Sequence, residues 1–466
     1  MAGSLALALE ELGHRVSIVM PAYRQVFDAG IPLDEFGIRV TATVGERMQY
    51  AEVLTASIGR AIKIYLIRAD HYFDRAHLYG TSEGDYPDNA ERFAFFNRAA
   101  LDLLRNIDAP DVLHAHDWQT ALAIAFLKSQ PERYPGLARI GTVLTVHNLG
   151  YQGLFSSDDW RFLDLDQNFF SPECLEFYGK ISFLKAGLVF ADTITTVSRT
   201  YAREIATSEC GFGLEGVFQQ RAKDVIGIMN GANYDVWNPS ADPFLARNFS
   251  PKDLSGKEAC KADLQEIFGL PQISCVPLLA VVSRLAAQKG VDLLESVLDQ
   301  LLQRDVQFVL LGAGDKHYQD FFQTAVLRHP GKLVVRISFD EALAHKIEAG
   351  ADIFLMPSRY EPSGLNQLYS MKYGTIPVVR ATGGLRDSVE EFDLARGTGT
   401  GFLFDSFDSN DFLAAIDRAL ALYRRKDKWV EIMKNAMAVD YSWSASALQY
   451  VEVYKRVAVG AAPFAP

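Results

Sequence analysis

Two cations share one short segment, Ser283-Arg284-Leu285-Ala286-Ala287-Gln288-Lys289-Gly290. Arg binds a phosphate bidentately and Lys adds a point charge, so the pair suits a diphosphate. Two solvated surface cations are the other reading. Further on, Pro357-Ser358-Arg359-Tyr360-Glu361-Pro362-Ser363-Gly364-Leu365 places Glu361 just before a helical stretch that starts at Asn366. A carboxylate there meets backbone N–H groups and their partial positive charge, though many such residues only cap the helix. Ala381-Thr382-Gly383-Gly384-Leu385-Arg386-Asp387 follows. Paired glycines let backbone N–H groups approach a phosphate closely. In the first half, His114-Ala115-His116-Asp117-Trp118 and His147-Asn148-Leu149-Gly150-Tyr151-Gln152-Gly153 carry imidazoles and a carboxylate. His-x-His-Asp has the look of a metal site. No further ligands are evident, so hydrogen bonding is the favoured role and no metal is expected.

These segments follow apolar runs. Asp111–His114, Gly141–Val146, Thr193–Val197 and Val225–Met229 lie in the first half. Leu278–Val282, Gln307–Leu311, Leu333–Ile337, Asp352–Met356 and Ile376–Val379 lie in the second. Continuous apolar strands alternating with helices belong to parallel sheets covered on both faces, so the class is α/β. Ligands of such sheets bind beyond the carboxyl ends of the strands. The proline-bearing stretch Asn238–Pro243 separates the two series. The expected division is therefore 1–243, 244–442, and a final helix with a tail over 443–466. The chain opens on a helix closed by Gly13, with the strand Val16–Met20 directly after it and no strand before it.

The 466 residues hold 46 Lys and Arg against 58 Asp and Glu, a net charge of −12. That balance argues against nucleic acid and anionic membranes as partners. The four cysteines, Cys174, Cys210, Cys260 and Cys275, lie far apart and read as reduced, mostly buried thiols in a cytoplasmic setting. No apolar run is long enough to span a bilayer.

Taken in order, the segments resemble the bacterial glycogen synthases and plant starch synthases over essentially the whole chain. Asp85 to Phe93, His114 to Trp118, His147 to Gly153, Met229-Asn230-Gly231 with Trp237-Asn238-Pro239, Ser283 to Gly290 and Pro357 to Asp387 carry the likeness. The resemblance implies the GT-B fold, two doubly wound domains facing across a cleft. It implies a retaining glucosyltransferase with ADP-glucose as donor substrate, an α-1,4-glucan as acceptor and no cofactor. It assigns Arg284 and Lys289 to the diphosphate and Thr382, Gly383, Gly384 and Leu385 to the loop beside it. Glu361 falls to the donor glucose, and Asp117 and His147 to the first domain's share of the cleft. Asn230 and Tyr86 match further cleft positions.

Two departures stand out. Ser363 occupies a position that is Cys in many relatives. The family's opening strand and its Lys-x-Gly-Gly-Leu loop are not seen. On that reading Met1 is an internal methionine of a longer natural chain, and loss of a central strand exposes two strand edges. A catalytically impaired glucan-binding protein of the same fold is the alternative function.

Overall fold

A computed structural model describes residues 1–460 apart from Ser82 and Ala138. Residues 461–466, the expected tail, lie outside the described residues. The chain forms two compact units. One comprises 1–197, 202–228 and the C-terminal stretch from Trp443; the other comprises Ser198–Tyr201 and Met229–Ser442.

The second unit holds a six-stranded sheet, every neighbouring pair of which is parallel. Its strand order is Leu333–Arg336, Gln307–Leu311, Leu278–Val282, Ile353–Met356, Ile376–Arg380, Phe402–Phe404. The central strands are apolar on both faces and almost fully buried, because helices cover both sides. The chain builds outward from Leu278–Val282, then returns to add Ile353–Met356 on the other side. The order reverses between these two strands. That is where open α/β sheets form their binding crevice.

The first unit is less regular than expected. One sheet is parallel, in the order Val225–Gly227, Thr193–Thr196, Gly141–Val146, Val112–His116. The other pairs Ser17–Pro21 in parallel with Ile62–Arg68, then continues antiparallel through Arg47–Ile58 and Asp34–Val44. The sequence reading passed over these last three strands. Asp34–Val44 alternates inward and outward residues, as one-faced antiparallel strands do, and so shows no continuous apolar run. Among the described residues, Ser17–Pro21 and Val112–His116 each pair on one side only. Both line one cavity of about 650 Å³, with Phe96 and Leu104 of helix Asn89–Leu104 and Val451 and Tyr454 of the C-terminal helix.

Helix Trp443–Gly460 belongs to the first unit and buries Trp443, Tyr450 and Val451 against Leu5, Leu9 and Val143. The linker falls earlier than 243. Residues 229–242 join the second unit because Trp237 stacks on His345 and Tyr369, and Asp242 accepts from His345 Nδ1 at 2.6 Å. The thiol expectation is also corrected. All four cysteines are unpaired, but only Cys260 is buried, and Cys275 is exposed.

Candidate functional site

In the second unit, three loops leave the carboxyl ends of neighbouring strands and meet through their backbones. A Cβ on Gly290 would lie 1.8 Å from the Pro357 carbonyl oxygen. On Gly383 and Gly384 it would lie 2.0 Å from the carbonyl oxygens of Glu361 and Ser363. Glycine is therefore required for the loops to touch. The Gly384 N–H donates to the Glu361 carbonyl at 3.0 Å, and the Leu385 N–H donates to that of Thr382. These two N–H groups hold the loop together instead of standing open to a phosphate. Leu385 itself is fully buried in the core, and Thr382 is the N-cap residue of helix Gly383–Ser388. Gly312 and Gly314 do similar work, allowing close backbone contact with Ser283 and Leu285 beside Arg284.

Lys289 and Glu361 are brought together at this crevice. Lys289 Nζ stands 2.6 Å from Glu361 Oε2, which also accepts from Ser358 Oγ at 3.0 Å. The Glu361 side chain is 7% exposed and that of Lys289 is 21% exposed. Arg284 is exposed on the same loop. Asn230 is buried in the same unit. Ser358 was missed in the sequence, and a serine in a polar loop gives no signal that it faces a carboxylate.

Ser363 Oγ is buried without a hydrogen-bond partner. A niche that offers no hydrogen-bond partner suits a thiol or methyl better than a hydroxyl. Ser363→Ala is expected to stabilise the protein by ~1 kcal/mol, read as a raised Tm. A fall in Tm would show the hydroxyl to be satisfied.

In the first unit, Asp117 opens helix Asp117–Ser129 with φ +55°. Its Oδ1 accepts from the His147 N–H at 2.7 Å. Burial pushes its carboxyl up to about 7, against the opposing effect of N–H bonds from His147 and Asn148. His116 Nδ1 and His147 Nε2 are 3.0 Å apart, and their rings stack. Burial is the main cause holding His116 down to about 3 and His147 to about 4. His116 is lowered further by the neighbouring His147. His147 Nδ1 is buried and has no partner, so it can receive or give a hydrogen bond to a bound molecule. His114 is held low by burial too, and its two nitrogens meet Tyr454 Oη at 2.8 Å and Thr145 Oγ1 at 2.6 Å. Among the described residues, no group of three His, Cys, Asp or Glu is placed to hold a metal ion.

Tyr86 packs between the guanidiniums of Arg75 and Arg92, 4.7 and 5.1 Å from its ring. Around it, Arg92 is fully buried and donates to Asn89 Oδ1 and to the carbonyls of Tyr72 and Leu78. Much of the segment Asp85 to Phe93 thus builds structure.

The buried imidazoles imply acid sensitivity. Their folded pKa values lie below the unfolded value of about 6.5, so their stabilising contribution is full above that pH and is lost toward pH 4. The raised Asp117 value acts oppositely, its cost being full above pH 7 and relieved on acidification. Three imidazoles outweigh one carboxyl. Unfolding free energy is expected to fall by a few kcal/mol, in order of magnitude, between pH 6.5 and 5. Denaturant titrations at the two pH values measure it, and a flat profile would contradict it.

Comparison with known proteins accords with this architecture. Residues 1–220 match the starch synthase catalytic domain family, and residues 271–436 match the glycosyl transferases group 1 family. The chain is 44% identical over 462 residues to a glycogen synthase of Koribacter versatilis, covering 99% of this chain and 95% of the relative. The chain belongs to the glycogen and starch synthase family. A glycogen synthase of Syntrophotalea carbinolica is 46% identical over 457 residues, covering 98% and 94%. The catalytic domain of starch synthase IV from Arabidopsis thaliana, solved with ADP and acarbose bound, superposes with a TM-score of 0.88 at 33% identity, covering 98% of this chain and 95% of that one. A sucrose-phosphate synthase from Thermosynechococcus elongatus, 18% identical with a TM-score of 0.59 and covering 97% and 91%, shares the fold. The protein is a glycosyltransferase of GT-B fold with glycogen or starch synthase function. These likenesses give no support to the impaired glucan-binding alternative.

Proposed function

We propose that this enzyme transfers glucose from ADP-glucose to the 4-hydroxyl at the non-reducing end of an α-1,4-glucan, with retention of configuration, in the cytoplasm. The observation that carries the reading is the meeting of Lys289 and Glu361 at the crevice where the strand order reverses. As the bond from the glucose anomeric carbon to the diphosphate breaks, positive charge grows on the sugar and negative charge on the phosphate. Lys289 and Arg284 stabilise the phosphate, and Glu361 holds the glucose. The acceptor oxygen attacks the same face, and its proton passes to the departing phosphate oxygen. Thr382 and Gly383 border the diphosphate, and His147 Nδ1 offers a hydrogen bond to a sugar hydroxyl. Asp117 fixes the His147 backbone.

No metal or cofactor enters this scheme. Among the described residues no helix is long and apolar enough to cross a membrane. Incorporation of label from ADP-glucose into glycogen tests the reading. Transfer should proceed with this chain and persist in EDTA. Loss in EDTA, restored by a divalent ion, would overturn the metal-free scheme; transfer from UDP-glucose alone would overturn the donor assignment.

A further inference from the structure

Among the described residues only four non-glycine positions have positive φ, and two of them are exposed aromatics on one patch: Tyr178 at +48° and Phe212 at +50°. Each is followed by a glycine in the same region, Gly179 at +78° and Gly213 at +84°. Tyr178 and Gly179 form the tip of a hairpin between strands Glu176–Phe177 and Lys180–Ser182. A two-residue turn with both central φ positive calls for Asn, Asp or Gly at its first position. A bulky ring there is a backbone outlier. The turn is held by the Gly179 N–H donating to Glu176 Oε1 at 2.6 Å.

The two aromatic–glycine turns touch. A Cβ on Gly213 would lie 2.8 Å from Phe177 Cζ and 3.3 Å from Tyr178 Cε2. Despite this packing Tyr178 stays 81% exposed, with Phe212 41%, Tyr151 55% and Leu154 41% exposed nearby in the fold. The patch is continuous with the His147–Gly153 loop. Gln152 Nε2 donates to the Phe212 carbonyl at 2.9 Å, the Phe183 N–H donates to the Gly153 carbonyl, and Leu154 pairs with Ser182. Strain of this kind persists where the surroundings enforce it, and it clusters at ligand clamps. Here it turns flat, uncharged rings outward beside the loop that carries His147.

We propose that Tyr178, with Phe212 and Tyr151, forms a stacking platform for the α-glucan acceptor, holding sugar rings of a long chain by their apolar C–H faces. The inference rests on the glucan-acceptor reading above. The rings offer an apolar face without a charge, which suits a neutral polysaccharide better than a nucleotide or an acidic peptide.

The test uses Tyr178→Gly, which removes the ring while releasing the backbone strain, so that loss of fold is not the cause of any loss of binding. Affinity for glycogen, read by electrophoresis through glycogen-containing native gels, is expected to fall by ~5–10-fold, the range of one aromatic contact. KM for glycogen should rise by the same factor, with Tm equal to or above that of the parent chain. Phe212→Gly should act in the same direction, and Tyr178→Phe should retain parent affinity. Parent affinity in both glycine variants would overturn the platform. So would equal loss in Tyr178→Phe, which would assign the contact to the hydroxyl. If the parent chain extends glycogen but these variants bind it normally, only the platform fails. If the parent neither binds nor extends glycogen, the acceptor reading fails with it.

Discussion

Replacement of Glu361 by Gln is expected to lower kcat by ~10²-fold or more, with a smaller change in KM for the nucleotide sugar. The carboxylate is nearly inaccessible, and it is shared between Lys289 Nζ at 2.6 Å and Ser358 Oγ at 3.0 Å. An amide keeps the shape and can still accept from both groups, but it carries no charge. On the proposed reaction, it therefore withdraws negative charge from the place where the departing glucose becomes positive. The loss belongs to the transition state and should appear in kcat. Lys289→Ala should differ in kind. It removes the cation proposed for the diphosphate and leaves Glu361 buried without its partner, which typically destabilises by ~3–5 kcal/mol when the charge is well buried. Lys289 is partly open to water, so the lower end applies. Steady-state kinetics with purified variants, alongside Tm, separate the two effects. A Gln variant within twofold of the parent kcat would remove Glu361 from the chemistry.

The loops that carry these residues were legible because each follows a run such as Leu278–Val282 or Ile353–Met356. Strands buried on both faces leave a continuous apolar record in the chain. The antiparallel strand Asp34–Val44 left none, since only one of its faces is covered. The linker was misplaced for a related reason. Pro239 and Pro243 mark a turn, but the ring stack of Trp237 on His345 and Tyr369 decides which unit the segment joins. Such a stack joins residues far apart in the sequence and follows no local pattern. The same holds within the site. Lys289 and Glu361 were each singled out, yet nothing local to either indicates that they form an ion pair. Gly383 and Gly384 were read as room for a phosphate. In the fold each also leaves room for the loop that carries Glu361, a constraint that no local pattern shows.

That last point gives the largest expected effect on stability. Gly290→Ala should destabilise the second unit by ~3 kcal/mol or more and reduce kcat/KM by ~10²-fold in whatever remains folded. Gly290 has φ +70°, which alone costs an alanine about 1–2 kcal/mol. The larger part is steric. The new methyl would sit 1.8 Å from the Pro357 carbonyl oxygen and 2.6 Å from its carbon. Those are backbone atoms at the start of the Glu361 loop and cannot swing aside as a side chain would. Relief must come from separating the two loops, and Lys289 is the residue immediately before the wedge. Gly269→Ala is the matched control. Gly269 has nearly the same φ, +66°, and closes helix Ser255–Phe268 in the same unit, but its Cβ position has nothing within 4 Å. That variant should lose only the conformational term and keep its catalytic rate. Equal losses in the two alanine variants would mean that backbone strain, not loop contact, accounts for Gly290. A loss confined to Gly290→Ala, in both Tm and kcat/KM, would mean that the crevice depends on two loops packed backbone to backbone.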